Sequence, residues 1–201
     1  MARPRTPLVL TAADWRERDT LVVDFLRAGK VGILPTDTIY GLSANAFDAR
    51  ATRRLLALKR RNSPPTLVPH DLEWARGLVD ERDLAAFDEA YESRTGALTL
   101  LARRRPGTVG PDCWVDNPDV GFRFPDSAIS EWARALGAPI VSTSVNVTGG
   151  RPMTALDDCD PQVWSGVDFA VLEGALRRNP SALLWLNRTP WALQPRTLEP
   201  A

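Results

Sequence analysis

Residues 29–42 read GKVGILPTDTIYGL. The short apolar run Val31 to Leu34 has the character of a buried strand. Pro35 stops it, because proline has no amide to give to a sheet ladder. Beyond the proline come two hydroxyls, a carboxylate and a phenol before Gly41. Such a turn presents backbone N–H groups and hydroxyls to a ligand. It also suits an ordinary strand-to-helix connection with capping hydroxyls. Upstream, Trp15, Leu21, Val22, Phe25 and Leu26 recur at helical spacing over Ala12 to Arg27, with Thr11 as a cap and Gly29 as the stop.

Working outward, the spacing predicts helices over 49–58, 71–79, 82–91 and 127–136. Strands are expected at 31–34, 66–68, 98–102, 120–124 and 139–142, and three more at 167–172, 182–187 and 191–196. The last strands lack intervening helices, so a regular βαβ repeat is excluded. The expectation is one α/β domain over 1–201, with a twisted mixed β-sheet flanked by helices. The first few residues and Pro200-Ala201 are expected to be the loosest.

Composition sets the class. Of the 201 residues, 44% are hydrophobic and 25% charged, which is ordinary for a globular domain. No apolar run reaches the ~18 residues of a membrane span, and the N-terminus turns polar too soon for a signal peptide, so a cytoplasmic protein without membrane contact is expected. Cys113 and Cys159 have no metal-ligand spacing and are expected to be reduced thiols. No bound metal is expected. Formal net charge is zero, so any polyanion site must be local. Basic residues gather at Arg53-Arg54 with Lys59-Arg60-Arg61, and at Arg103-Arg104-Arg105. Each cluster fits a solvated face as well as a binding site.

A second loop invites chemistry. Ser142-Thr143-Ser144-Val145-Asn146-Val147-Thr148-Gly149-Gly150 follows a strand, and its hydroxyls, amide and glycines suit close approach of backbone to phosphate oxygens. No Gly-Lys-Ser/Thr follows, so it is not a Walker loop. Lys59 and Arg61 at a helix end could neutralise a triphosphate, or could be exposed charges favourable at a helix C-terminus.

Taken in order, these segments resemble the YrdC-like threonylcarbamoyl-AMP synthases, also called TsaC. The likeness runs from Gly29-Lys30-Val31 through PTDTIYGL, the Lys59-x-Arg61 pair, Val120-Gly121-Phe122-Arg123-Phe124-Pro125 and Ser144-x-Asn146 to Arg196. It implies a single YrdC-like domain with a basic concave face. The implied reaction joins L-threonine, bicarbonate or CO2, and ATP into threonylcarbamoyl-AMP and pyrophosphate. Mg2+ would arrive with ATP, and proteins that transfer the threonylcarbamoyl group to tRNA would act downstream. By match to the family motif, Lys59, Arg61, Ser144 and Asn146 carry catalysis. Lys59, Arg61, Asn146, Thr154 and Arg196 meet ATP, while Thr38, His70, Arg123, Ser144 and Ser181 surround threonine. Arg123 is the natural bidentate partner of the threonine carboxylate.

The chain departs from the family pattern in three places. Pro64-Pro65 replaces an asparagine before the proline. The threonine and aspartate common after Ser181 are missing. Asp119 stands where a small hydroxyl is commoner, and an acid beside a triphosphate would be unfavourable unless a metal intervened. These leave open a divergent paralogue that binds nucleotide or structured RNA at the basic face without forming the adenylate.

Overall fold

The computed structural model describes residues 6–17, 19–60, 65–108, 110–111, 117–147, 150–176 and 178–198. Arg61, Pro64, Cys113, Thr148, Gly149 and the two chain ends, singled out above, lie outside them. In chain order the elements are β1 (Leu8–Thr11), α1 (Ala12–Glu17), α2 (Asp19–Arg27), β2 (Gly32–Leu34), β3 (Gly41–Asn45), α3 (Ala49–Lys59), β4 (Thr66–Val68), α4 (Leu72–Leu78), α5 (Glu81–Ser93), β5 (Leu98–Arg103), β6 (Asp119–Arg123), α6 (Ala128–Leu136), β7 (Ile140–Ser144), α7 (Pro161–Gly166), β8 (Phe169–Leu172), β9 (Ala182–Trp185) and β10 (Ala192–Gln194). All ten strands join one sheet in the order β1-β8-β2-β3-β7-β4-β6-β5-β9-β10. It is mixed, as expected: β2 runs antiparallel to β3, and β3 to β7, whereas β4 is parallel to β6 and β5 to β9.

The turn after Pro35 is not a strand-to-helix connection. It leads into β3, paired antiparallel with β2 through Gly32↔Ser43 and Leu34↔Gly41. Small and polar, Gly-Leu-Ser-Ala-Asn does not look apolar enough for a central strand. It is one because its neighbours supply the apolar packing on one side, while its other side carries Gly41 and Ser43. The helix expected over 12–27 is described as α1 and α2, and Thr11 ends β1, its N–H and hydroxyl both donating to Asp14 Oδ2 at 2.7 Å. Helices α3, α4, α5 and α7 begin at aspartates 48, 71, 80 and 160, whose side chains accept from first-turn amides.

Strand alternation divides the core in two. Ile33, Leu42, Leu67, Leu100, Phe122 and Val141 face Ala51 and Leu55 of α3, Leu78 of α4, Phe87 of α5 and Val163 of α7. On the other side Leu34, Val68, Ile140 and Phe169 face Val22 and Leu26 of α2 and Ile129 and Trp132 of α6. Gly32 is required there, since a Cβ would run into the Phe169 ring. The remainder of this second face lies open and carries hydroxyls beside Leu101 of β5 and Leu183 and Trp185 of β9. It carries the site.

Candidate active site

The open face carries Gly41 of β3, Thr66 of β4, Ser142 and Ser144 of β7, Gly121 and Arg123 of β6, Thr99 and Leu101 of β5, and Leu183 and Trp185 of β9. With Thr38, Pro125, Ser181 and Arg196 they enclose a pocket of about 280 Å³. The period of two puts these residues on one side while Leu42, Phe122, Val141 and Leu100 fill the core behind them. Thr38, Arg123, Ser144, Ser181 and Arg196 are therefore brought to one wall.

Arg123 is 8% exposed. Its Nη2 donates to both Asp37 carboxylate oxygens at 2.7 Å. Thr38 is fixed by Thr36: the Thr38 amide donates to the Thr36 hydroxyl at 3.1 Å, and the two hydroxyls lie 3.0 Å apart. Tyr40 anchors the same loop from below, its hydroxyl donating to the Gly174 carbonyl at 2.7 Å and accepting from the Glu173 amide at 2.9 Å. Burial raises the Tyr40 pKa above its ordinary value. Ser181 shares a 2.8 Å hydrogen bond with Thr99 and accepts from Arg196 Nη2 at 2.8 Å, and Arg196 Nε donates to the Ser181 carbonyl at 2.6 Å.

Lys59 corrects one reading of the sequence, for it is not an exposed helix-end charge. It is 3% exposed. Arg60 follows in the left-handed region at φ 51°, which ends α3 and turns the chain away while Lys59 points inward. The Lys59 ammonium donates to the Ser144 carbonyl and hydroxyl, each at 2.7 Å, and to Asn146 Oδ1. Ser144 Oγ donates to Asn146 Oδ1 at 2.7 Å, and the Asn146 amide donates to the Gly150 carbonyl. Lys59, Ser144 and Asn146 thus form one triangle, with Lys59 and Asn146 buried and Ser144 half-buried. Ser144 is its member on the pocket wall.

Other expected residues sit apart. His70 packs its ring at a tilt against Trp74 and lines a neighbouring cavity of about 1000 Å³ that shares Thr38 and Pro125 with the pocket. The Thr154 hydroxyl and amide both go to Asp158, whose carboxyl they hold, the hydroxyl first, below its ordinary pKa. Asp119 accepts from Asn187 at 2.8 Å in a separate groove with Arg82, Arg103, Arg104 and Arg105. It is not an acid of the pocket, because β6 carries it to the end opposite Arg123. The arginine run there is committed as well: Arg103 pairs with Asp83 at 2.6 Å. Likewise Arg54 pairs with Asp168 at 2.6 Å, and neither Arg53 and Arg54 nor Arg103 to Arg105 line the pocket. Arg123 and Arg196 are the cations lining it among the described residues. Asp37 and Thr99 join the expected residues at the site, and a threonine inside the apolar run 98–102 is a usable signal of the second.

A profile of the Sua5_yciO_yrdC family, described as telomere recombination, matches residues 24–193. The chain belongs to this family. The threonylcarbamoyl-AMP synthase of Methylococcus capsulatus is 34% identical over 137 residues, 66% of this chain and 72% of its own. The crystal structure of P. abyssi Sua5 complexed with L-threonine shares the fold with a TM-score of 0.76 and 24% identity, over 94% of this chain but 56% of that one. The chain thus spans little more than half the length of Sua5. E. coli YciO covers 94% of both chains with a TM-score of 0.76 and 21% identity. Among the described residues no helix of the Sua5/YciO/YrdC chain is long and apolar enough to cross a membrane.

Proposed function

We propose that this protein is a threonylcarbamoyl-AMP synthase, making the adenylate used for threonylcarbamoyladenosine in tRNA. The observation that carries the reading is Arg123: a guanidinium buried on a pocket wall among the hydroxyls of Thr38, Ser144 and Ser181 suits the carboxylate and hydroxyl of a small amino acid. The name of the M. capsulatus relative and the threonine in P. abyssi Sua5 support it.

In this reading Arg123 receives the threonine carboxylate, and Thr38, Ser144 and Ser181 surround the rest, with His70 approaching from beyond Thr38. The threonine nitrogen adds to CO2, losing a proton to give a carbamate. A carbamate oxygen then attacks the α-phosphorus of ATP, and pyrophosphate leaves. No protein nucleophile is needed. Arg61 and Arg196 meet phosphate oxygens, while Asn146 and Thr154 lie along the nucleotide; both exchange an internal hydrogen bond to do so. Lys59 supplies positive charge from beneath Ser144. Catalysis comes from holding the reactants together and offsetting charge on the transferring phosphorus. Mg2+ would enter on the triphosphate, where it would offset phosphate charge. Partners that pass the group to tRNA follow from the same reading.

Calorimetric titration tests it. Arg123→Ala weakens threonine by about 100-fold and leaves an ATP analogue nearly unchanged, since a carboxylate without its guanidinium costs a few kcal/mol. Asn146→Ala does the reverse. A nucleotide- or RNA-binding paralogue shows no such split and no threonine binding.

A further inference from the structure

We propose that Asp37 is the positioning residue of the amino-acid pocket, holding Arg123 from behind so that the rest of its guanidinium faces the substrate carboxylate. The inference deepens the reading of Arg123 given above and rests on it.

Placement decides the role. Arg123 lines the 280 Å³ pocket and not the larger cavities, whereas Asp37 lines two cavities on the far side and not the pocket. Thr38 and Pro125 line all three, so the Asp37–Arg123 contact completes the partition between them. Both hydrogen bonds to Asp37 leave from Nη2. Among the described residues Nε and Nη1 are then left for a ligand. Asp37 is therefore no competitor in the substrate's place. It fixes one end of a planar, five-donor group whose remaining edge must meet a carboxylate at the right angle.

Asp37 is itself held. The Asp126 amide donates to its Oδ2 at 3.3 Å, and Arg178 Nη1 donates to its carbonyl at 3.2 Å. Its carboxylate thus joins the β2–β3 connection to the start of the β6–α6 connection, with the β8–β9 connection as a second tie. With side chains 10% and 14% exposed, the two charges are withdrawn from water together, and losing one leaves the other uncompensated. A neutral amide at 37 turns a donor toward Nη2 in one orientation and keeps a single weaker acceptor in the other. Either way the guanidinium swings.

The test is titration of wild type, Asp37→Asn, Asp37→Glu and Arg123→Ala with threonine and, separately, with a non-hydrolysable ATP analogue. Asp37→Asn is expected to weaken threonine about tenfold or more while the analogue stays within about twofold, as misorientation of a single clamp requires. Asp37→Glu restores charge and recovers part of the affinity. In turnover the same split appears as a raised threonine KM with an unchanged ATP KM. Threonine affinity unchanged or tightened in Asp37→Asn overturns the proposal, as does an equal loss of both ligands, which marks a general loosening of the loops. Full threonine affinity in Arg123→Ala instead overturns the reading of Arg123 and this inference with it.

Discussion

Replacing Lys59 with methionine keeps the buried stem and deletes the ammonium. Three acceptors lose a charged donor: the Ser144 carbonyl and hydroxyl at 2.7 Å and Asn146 Oδ1. None is stranded completely, because Asn146 Oδ1 keeps the Ser144 hydroxyl at 2.7 Å and the Ser144 carbonyl keeps the Asn146 amide at 3.1 Å. Hydrogen bonds to charged groups contribute about 1.5–3 kcal/mol each, but these share partners, and removing a buried charge also lifts its desolvation cost. The net loss for Lys59→Met is about 2 kcal/mol. At this chain length that lowers Tm by about 4–8 °C. Lys59→Ala also loses three buried methylenes, about 0.8 kcal/mol each, and should roughly double the shift. Adenylate formation should fall at least about 30-fold in both, as for loss of a charge beside a transferring phosphate. Scanning calorimetry and pyrophosphate release measure the two effects. If Lys59→Met melts with the wild type, the triangle does not hold this end of α3.

Three further outcomes follow from local geometry. Gly41→Ala places a Cβ against the Ser142 hydroxyl at the pocket floor, so threonine affinity should fall by about tenfold with the core intact; a variant with wild-type affinity and Tm would show that the floor yields. At Asp168 burial pushes the carboxyl up, but hydrogen bonds from Arg54 and the Val31 amide and nearby positive charge outweigh it and leave the pKa below its ordinary value. Its stabilisation is therefore full above the unfolded carboxylate pKa of about 3.9 and disappears as pH falls through the lower folded value. The difference in urea midpoint between wild type and Asp168→Asn should shrink from pH 6 to pH 3, and a constant difference would contradict the assignment. Cys159 is a free thiol whose pKa is pushed up to about 11, by burial first and Asp160 second, so it should react slowly with a disulfide reagent at pH 8 in the native state and rapidly in urea; mass mapping after a timed quench reads it.

The sequence carried most of the architecture because strands such as Val31–Leu34 and helices such as 49–58 bury periodic apolar residues. It concealed β3, since Gly-Leu-Ser-Ala-Asn shows its apolar character only at Leu42 and Ala44, and its partner strands provide the rest. Helix α7 was also missed, although Asp160 followed by Pro161 is a helix start. Within the site, residue types could be read but not their commitments. Lys59 was legible as a cation, yet its burial depends on the left-handed turn at Arg60 and on β7 lying beneath it. Asp119 and Arg123 stand on the same side of β6, two pleats apart, and only the sheet's extent puts one in a groove of arginines and the other in the pocket. The Asp37–Arg123 pair spans 86 positions, a separation across which no local pattern points.

The most direct test incubates the purified protein with ATP, Mg2+, bicarbonate and labelled threonine, and follows the adenylate and pyrophosphate together. The account predicts both products in equal amounts, dependent on threonine and on bicarbonate, with Arg123→Ala inactive at threonine concentrations that saturate the wild type. Nucleotide binding without either product would contradict it.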